Sequence, residues 1–173
     1  MKLFLVAFLM FTIPPREDVS SSGEKMEWKD LSTVSVQLKA DSKPVLIDLF
    51  TSWCYWCKVM DKKTYSDKNV IHYLKENFYS AKLNAETKET INWDGKDFKY
   101  NLNYKCNDFA LYATRGQLSF PTTVIIPEAG NDPIAIGGFM EPQEMEAVLK
   151  YFGSGAYKKE NFQTYQSKFS STW

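Results

Sequence analysis

Val45-Leu46-Ile47-Asp48-Leu49-Phe50-Thr51-Ser52-Trp53-Cys54-Tyr55-Trp56-Cys57-Lys58 carries the strongest structural signal in the chain. An apolar run of strand length, interrupted by one acid, has the character of a buried central strand. Two cysteines three positions apart follow it directly. Such a pair serves as a metal clamp, a structural staple or a redox couple. Zinc needs about four ligands, whereas the chain offers only Cys106 and His72 besides the pair, neither in a second short-spaced motif. A disulfide across two residues closes a very short loop and stabilises little. The redox reading has the better chemistry. Cys54 falls between a strand end and a helix start, where unpaired N–H groups and the helix dipole stabilise a thiolate. Cys57, one turn on, is spaced to attack a mixed disulfide on Cys54 and release the substrate reduced.

Composition narrows the function classes. The 173 residues suffice for one domain with extensions. Lys+Arg and Asp+Glu balance at 21 each, so no global field recruits nucleic acid or an anionic membrane surface. Met1-Lys2, the apolar run Leu3 to Ile13 and the break at Pro14-Pro15 read as a signal peptide, with residues 1–22 as signal and linker and cleavage near Ser20 to Gly23. The run is too short to span a bilayer stably. Export implies an oxidising compartment in which disulfides persist.

The remaining pattern alternates helix and strand. A helix is expected over Trp28 to Ala40, a strand over 45–50, helices over 55–63 and 67–77, and a strand over 78–84. Asp94-Gly95 between alternating aromatics signals a hairpin. Asn107 to Arg115 reads as a helix closed by Gly116. Phe120-Pro121 precedes a β-branched strand, Ile134 to Gly137 reads as an edge strand, and Pro142 to Phe152 is amphipathic. Phe162, Tyr165 and Phe169 at helical spacing predict a C-terminal segment, 153–173, that docks back on a domain covering 23–152.

VLIDLFTSWCYWCK and SFPTT, in that order, resemble the core strand, the W-C-x-x-C-K motif and the proline loop of the thioredoxin superfamily. The tryptophan before the second cysteine, with the following KVMDKKTYSDKNVIHYLKENF, is similar to exported bacterial thioredoxin-like thiol-disulfide oxidoreductases with a WCxWCK site. The resemblance covers about residues 26–152. It implies an α/β thioredoxin fold, a central mixed β-sheet flanked by helices, with an insertion at about 86–108 before the cis-proline strand and a C-terminal helical extension. It also implies Cys54 and Cys57 as the catalytic pair and Asp48 as a buried acid beneath Cys57 that handles its proton. Pro121 is implied to be cis and to face the pair, with the Phe120 backbone open to an added substrate strand. Trp53, Tyr55 and Trp56 join Phe120 as substrate-binding residues, and Lys58 adds positive charge nearby. The implied partners are protein thiols and disulfides and a redox partner that recharges the pair, in the periplasm.

Departures from simpler family members mark what stays open. Tyr55-Trp56 replaces the dipeptides of general reductants and strong oxidants, whose potentials run from about −270 to −120 mV, so direction is undetermined. The insertion, with Trp93, Phe98, Tyr100 and Tyr104, is either a recognition surface or a hairpin over the core. Cys106 reads as a buried thiol. His72 reads as a surface residue, which leaves Cys-His and Ser-His-Asp mechanisms without a base. The electrons reside on two sulfurs, so neither an organic cofactor nor a metal is expected. The alternative function is a thioredoxin-like binding module with little redox turnover.

Overall fold

The computed structural model describes residues 24–41 and 43–173. The expected signal-peptide core and cleavage region lie outside them. Among the described residues, no helix is long and apolar enough to cross a membrane.

The chain runs through α1 (Leu31–Ala40), β1 (Val45–Phe50), α2 (Tyr55–Lys63), α3 (Lys68–Asn77) and β2 (Tyr79–Asn84). Four short strands follow, β3 (Ile91–Trp93), β4 (Lys96–Phe98), β5 (Tyr100–Asn101) and β6 (Cys106–Asn107). Next come α4 (Asp108–Thr114), β7 (Thr122–Ile126), β8 (Ile134–Gly137), α5 (Pro142–Gly153) and α6 (Phe162–Lys168). The main sheet has the order β2-β1-β7-β8, with β1 parallel to β2 and antiparallel to β7. This is the mixed sheet flanked by helices that the resemblance implies.

Alternation along the strands sorts the core into two layers. Val45, Ile47 and Leu49 of β1 join Ala81, Leu83, Val124 and Ile126 beneath α1, α4 and the β3–β4 hairpin. Leu46 and Ile125 point the other way, against Met60 of α2, Leu74 of α3 and Leu149 of α5. Each large apolar side chain so buried contributes about 2 kcal/mol. Asp48 has the parity of Leu46 and so faces the α2 layer, which is why a carboxylate in a core strand ends up under the cysteine helix.

Local chemistry sets the helix starts. Asp30, Asp67, Asn107 and Asn161 each accept a backbone N–H in the first turn of α1, α3, α4 and α6. The Asp30 cap corrects one expectation: the helix begins at Leu31 rather than Trp28. Lys29 instead lies parallel to β2, donating its N–H to the Ser80 carbonyl at 2.9 Å and bridging Ala81. The Trp28 ring meets Tyr65 edge-on at 4.9 Å.

The stretch expected as an insertion forms two small hairpins. Asp94 and Gly95 turn the first with φ of 52° and 77°, the left-handed pair that a two-residue hairpin loop requires. Trp93 and Phe98 pack on Phe109 at 5.7 and 5.4 Å, so this hairpin covers the core. The second, β5–β6, is absent from the sequence pattern because its strands are only two residues long. Its loop exposes Leu102 and Tyr104.

Residues beyond α5 pack against it. The Tyr151 ring meets Phe162 and Tyr165, both at 5.2 Å. Glu146, fully buried on α5, gathers the last three residues through the Ser171 hydroxyl, the Thr172 hydroxyl and N–H, and the Trp173 N–H.

Candidate active site

Cys54 ends the turn after β1 and is the N-cap of α2. Where four other helices are capped by an oxygen, this one is capped by sulfur: Cys54 Sγ accepts the Cys57 N–H at 3.0 Å. The Cys54 N–H is itself tied back to the Thr51 carbonyl at 3.2 Å, which fixes the turn. The two sulfurs are joined, with the Cα atoms 5.3 Å apart. In the reduced pair, the same N–H and the helix dipole favour negative charge on the Cys54 sulfur.

Cys54 and Cys57 are buried, while Trp53, Tyr55 and Trp56 around them are each more than half exposed. An apolar rim is thus left in water around a covered disulfide. Trp53 is held in place: its indole N–H donates to Glu86 Oε1 at 2.9 Å, and its ring meets Phe120 edge-on at 5.9 Å. Trp56 packs against Phe139 at 5.5 Å and Tyr55 against Trp56 at 5.6 Å.

Strand register carries the proline loop to the same end of the sheet. Leu49 of β1 is paired with Thr122 of β7, so Pro121 lies one step further along, beside the turn that leads to Cys54. The Phe120–Pro121 bond is cis. The Pro121 carbonyl accepts the Gly138 N–H at 2.8 Å, which anchors the loop to the far side of the sheet.

Asp48 is buried on the face of β1 that Leu46 shares, toward α2, whose buried residues are Cys57 and Met60. Its cross-strand neighbours are Lys82 on β2 and Thr123 on β7. Lys82 Nζ is 2.9 Å from Asp48 Oδ2, and it also engages Asp61 of α2. Burial drives the Asp48 carboxyl up to about 6 against the opposing pull of Lys82. Burial alone would lower the Lys82 ammonium, but Asp48 and Asp61 outweigh it and hold it above its usual value. Burial, reinforced by Asp48, also keeps the Tyr65 hydroxyl well above its ordinary range, and that hydroxyl lies 3.5 Å from Thr123 Oγ1.

Of the eight residues singled out in the sequence, Asp48 lies on β1, Trp53, Cys54, Tyr55, Trp56 and Cys57 on the turn and helix start that follow it, and Phe120 and Pro121 on the loop before β7. Sequence reasoning missed Lys82, Asp61 and Glu86. Lys82 is four residues into a predicted strand and is recognisable only through its register with Asp48. Asp61 follows Met60 on an ordinary amphipathic helix. Cys106 is buried as expected, its thiol pushed up by burial and then by Asp108 and Glu86. His72 is exposed and pairs with Glu76 at 3.5 Å. Lys58 is exposed on α2.

The sheet order and helix placement, with a disulfide at the head of the first helix after the central strand, define the thioredoxin fold. Residues 32–153 match the family model described as a thioredoxin-like domain, and the chain belongs to that family. A thiol:disulfide interchange protein DsbD from Citrobacter koseri is 25% identical over 161 residues, covering 86% of this chain and 25% of that protein. A DsbD from Yersinia enterocolitica is 35% identical over 80 residues, covering 40% of this chain and 14% of that protein. The chain spans 7% to 25% of the length of the curated relatives it matches. Among solved structures, a thioredoxin-fold protein from Helicobacter pylori aligns with a TM-score of 0.58 at 21% identity, covering 73% of this chain and 80% of that one. The DsbH oxidoreductase aligns with a TM-score of 0.55 at 18% identity, covering 90% and 96%.

Proposed function

We propose that this chain is a thiol-disulfide oxidoreductase that exchanges disulfides with protein substrates through Cys54 and Cys57. The observation that carries the reading is the sulfur cap: a cysteine whose Sγ takes a backbone N–H at the head of α2 is a thiolate site, in a chain of the thioredoxin-like family. In the reducing direction, the Cys54 thiolate attacks a substrate disulfide, forming a Cys54–substrate bond and expelling the other substrate sulfur as a thiolate. Cys57 then attacks Cys54. Its S–H proton passes to Asp48, the Cys57–Cys54 bond forms, the Cys54–substrate bond breaks, and the second substrate sulfur leaves as a thiolate that takes a proton from water. Two electrons have moved from the cysteine pair to the substrate. The oxidising direction is the reverse.

An acid near 6 suits the proton step, since it changes state close to neutral pH. The exposed Trp53, Tyr55 and Trp56, with Phe120 behind them, supply the contact surface for a substrate segment laid along the Pro121 loop. Substrates are protein thiols and disulfides, and a second redox protein recharges the pair. The apolar Leu3–Ile13 run supports an exported setting, the bacterial periplasm, with 1–22 removed or acting as linker, 23–152 as the catalytic domain and 153–173 as its docked extension.

The test is a pair of variants. Cys54→Ser abolishes insulin-type disulfide reduction, and Cys57→Ser accumulates mixed disulfides with substrate. Full activity in both variants would overturn the mechanism. A binding module is the second reading, favoured by the exposed Leu102 and Tyr104 on the β5–β6 loop. A Cys54 pKa near the free value of about 8.5 would favour it.

A further inference from the structure

The contact between Asp48 and Lys82 is not a simple ion pair. Lys82 Nζ reaches Asp48 on one side and Asp61 on the other, so one ammonium serves two carboxylates. The three side chains step outward, with Asp48 3%, Lys82 18% and Asp61 40% exposed. The ammonium has little freedom to choose between them. It also lies 4.9 Å from the Phe50 ring and 5.4 Å from the Trp28 ring. Among the described residues, no other lysine or arginine pairs with either acid.

We propose that Asp61 is a positioning residue for the redox step: by binding the same ammonium as Asp48, it draws Lys82 outward and leaves the inner carboxylate able to take and return the Cys57 proton. The proposal rests on the redox reading above. Its physical basis is charge arithmetic. An ammonium devoted to a buried carboxylate strongly favours the ionised acid, whereas one cation shared by two anions leaves the inner anion undercompensated, and the outer anion also repels it. Asp61 thus offsets Lys82 and helps keep Asp48 protonatable near neutral pH, which agrees with its elevated titration.

The groups facing this cluster are few. Tyr65 approaches from the turn between α2 and α3 and is turned toward Thr123. Cys57 is one of the two buried residues of α2, the helix that carries Asp61. Glu24 and Lys25 line the groove that opens onto Asp61, together with Trp28 and Ser66. Glu24 is neutralised by Lys75 at 2.8 Å, so the rim brings no unbalanced charge to Asp61 from that acid.

The experiment uses the full chain with Asp61→Asn, reading the Asp48 carboxyl by carbon NMR in the disulfide form and the pH profile of Cys57-dependent release of a Cys54 mixed disulfide. The expected result is a downward shift of the Asp48 midpoint by about one pH unit, the scale of one neighbouring charge. The matching limb of the release profile moves the same way, and Asp61→Glu restores both. An Asp48 midpoint that stays put or rises in folded Asp61→Asn protein overturns the proposal, since Asp61 would then act only as a tether for Lys82. Asp48→Asn separates this failure from a failure of the redox reading. A release profile that responds to Asp48→Asn but not to Asp61→Asn sinks only the role of Asp61. A profile indifferent to Asp48→Asn removes the acid from the mechanism and the proposal with it.

Discussion

Asp48 and Glu146 are both buried carboxylates paired with a lysine, yet they titrate in opposite directions. Burial drives Asp48 up to about 6, and its one cation is shared with Asp61. Burial would raise Glu146 as well, but Lys150, Ser171 and Thr172 outweigh it and hold that carboxyl down at about 2. The difference lies in the donors. Lys150 Nζ approaches Glu146 at 2.5 Å, the Thr172 and Trp173 N–H groups at 2.9 and 3.2 Å, and the Ser171 and Thr172 hydroxyls at 2.5 and 2.6 Å. A fully solvated-out anion is stable where five donors replace the lost water, and unstable where one divided cation does. The first arrangement is a structural latch, and the second leaves an acid free to change state.

The comparison breaks most visibly at the latch. Glu146→Ala strands Lys150 and the tail donors without their acceptor, and should cost about 3 kcal/mol in urea unfolding. Loss of the Trp173 contact with Tyr73, now 5.8 Å between rings, should alter tryptophan fluorescence. An unchanged midpoint would mean that the tail is not engaged in solution.

The Asp48 arm predicts the reverse sign. Its folded value of about 6 exceeds the ordinary 3.8, so the native state binds more protons across that window, and the stability Asp48 contributes falls as pH rises from about 4 to about 6. Asp48→Asn should therefore raise stability at pH 7 by about 3 kcal/mol, the pull of Lys82 being already contained in the folded value, and flatten the slope between pH 4 and 6. Glu146 behaves oppositely. Its folded value lies below the ordinary 4.5, so its contribution is present above about pH 4.5 and is lost on acidification toward 2. Unfolding midpoints of the two variants across pH 3 to 7 check both signs.

The smallest effect sharpens the account of the donors. Ser171→Ala removes one of five and should cost about 1 kcal/mol, with Thr172 and Trp173 still holding the tail. A loss as large as that of Glu146→Ala would show that the donors act as one cooperative unit.

Most of the framework was legible in the chain. The apolar run into Cys54 and Cys57, the Phe120-Pro121 step ahead of a β-branched strand and the helices expected from 67 and 107 are local signals, and local signals survive folding. The start of α1 was misread because the apolar spacing from Trp28 resembles a helix face, while the Asp30 cap and the pairing of Lys29 with β2 place the boundary later. The β5–β6 hairpin left no trace, since two-residue strands have no periodicity to detect.

That two cysteines stand one helical turn apart behind a buried strand carrying a single acid is readable from the chain alone, because spacing and hydropathy are local properties. The partners of that acid are set by folding. Lys82 and Thr123 reach Asp48 through parallel and antiparallel register, and Asp61 through the crossing of α2 over the sheet. A carboxylate's charge state depends on the donors that folding gathers around it, and Asp48 and Glu146 would be indistinguishable as isolated letters.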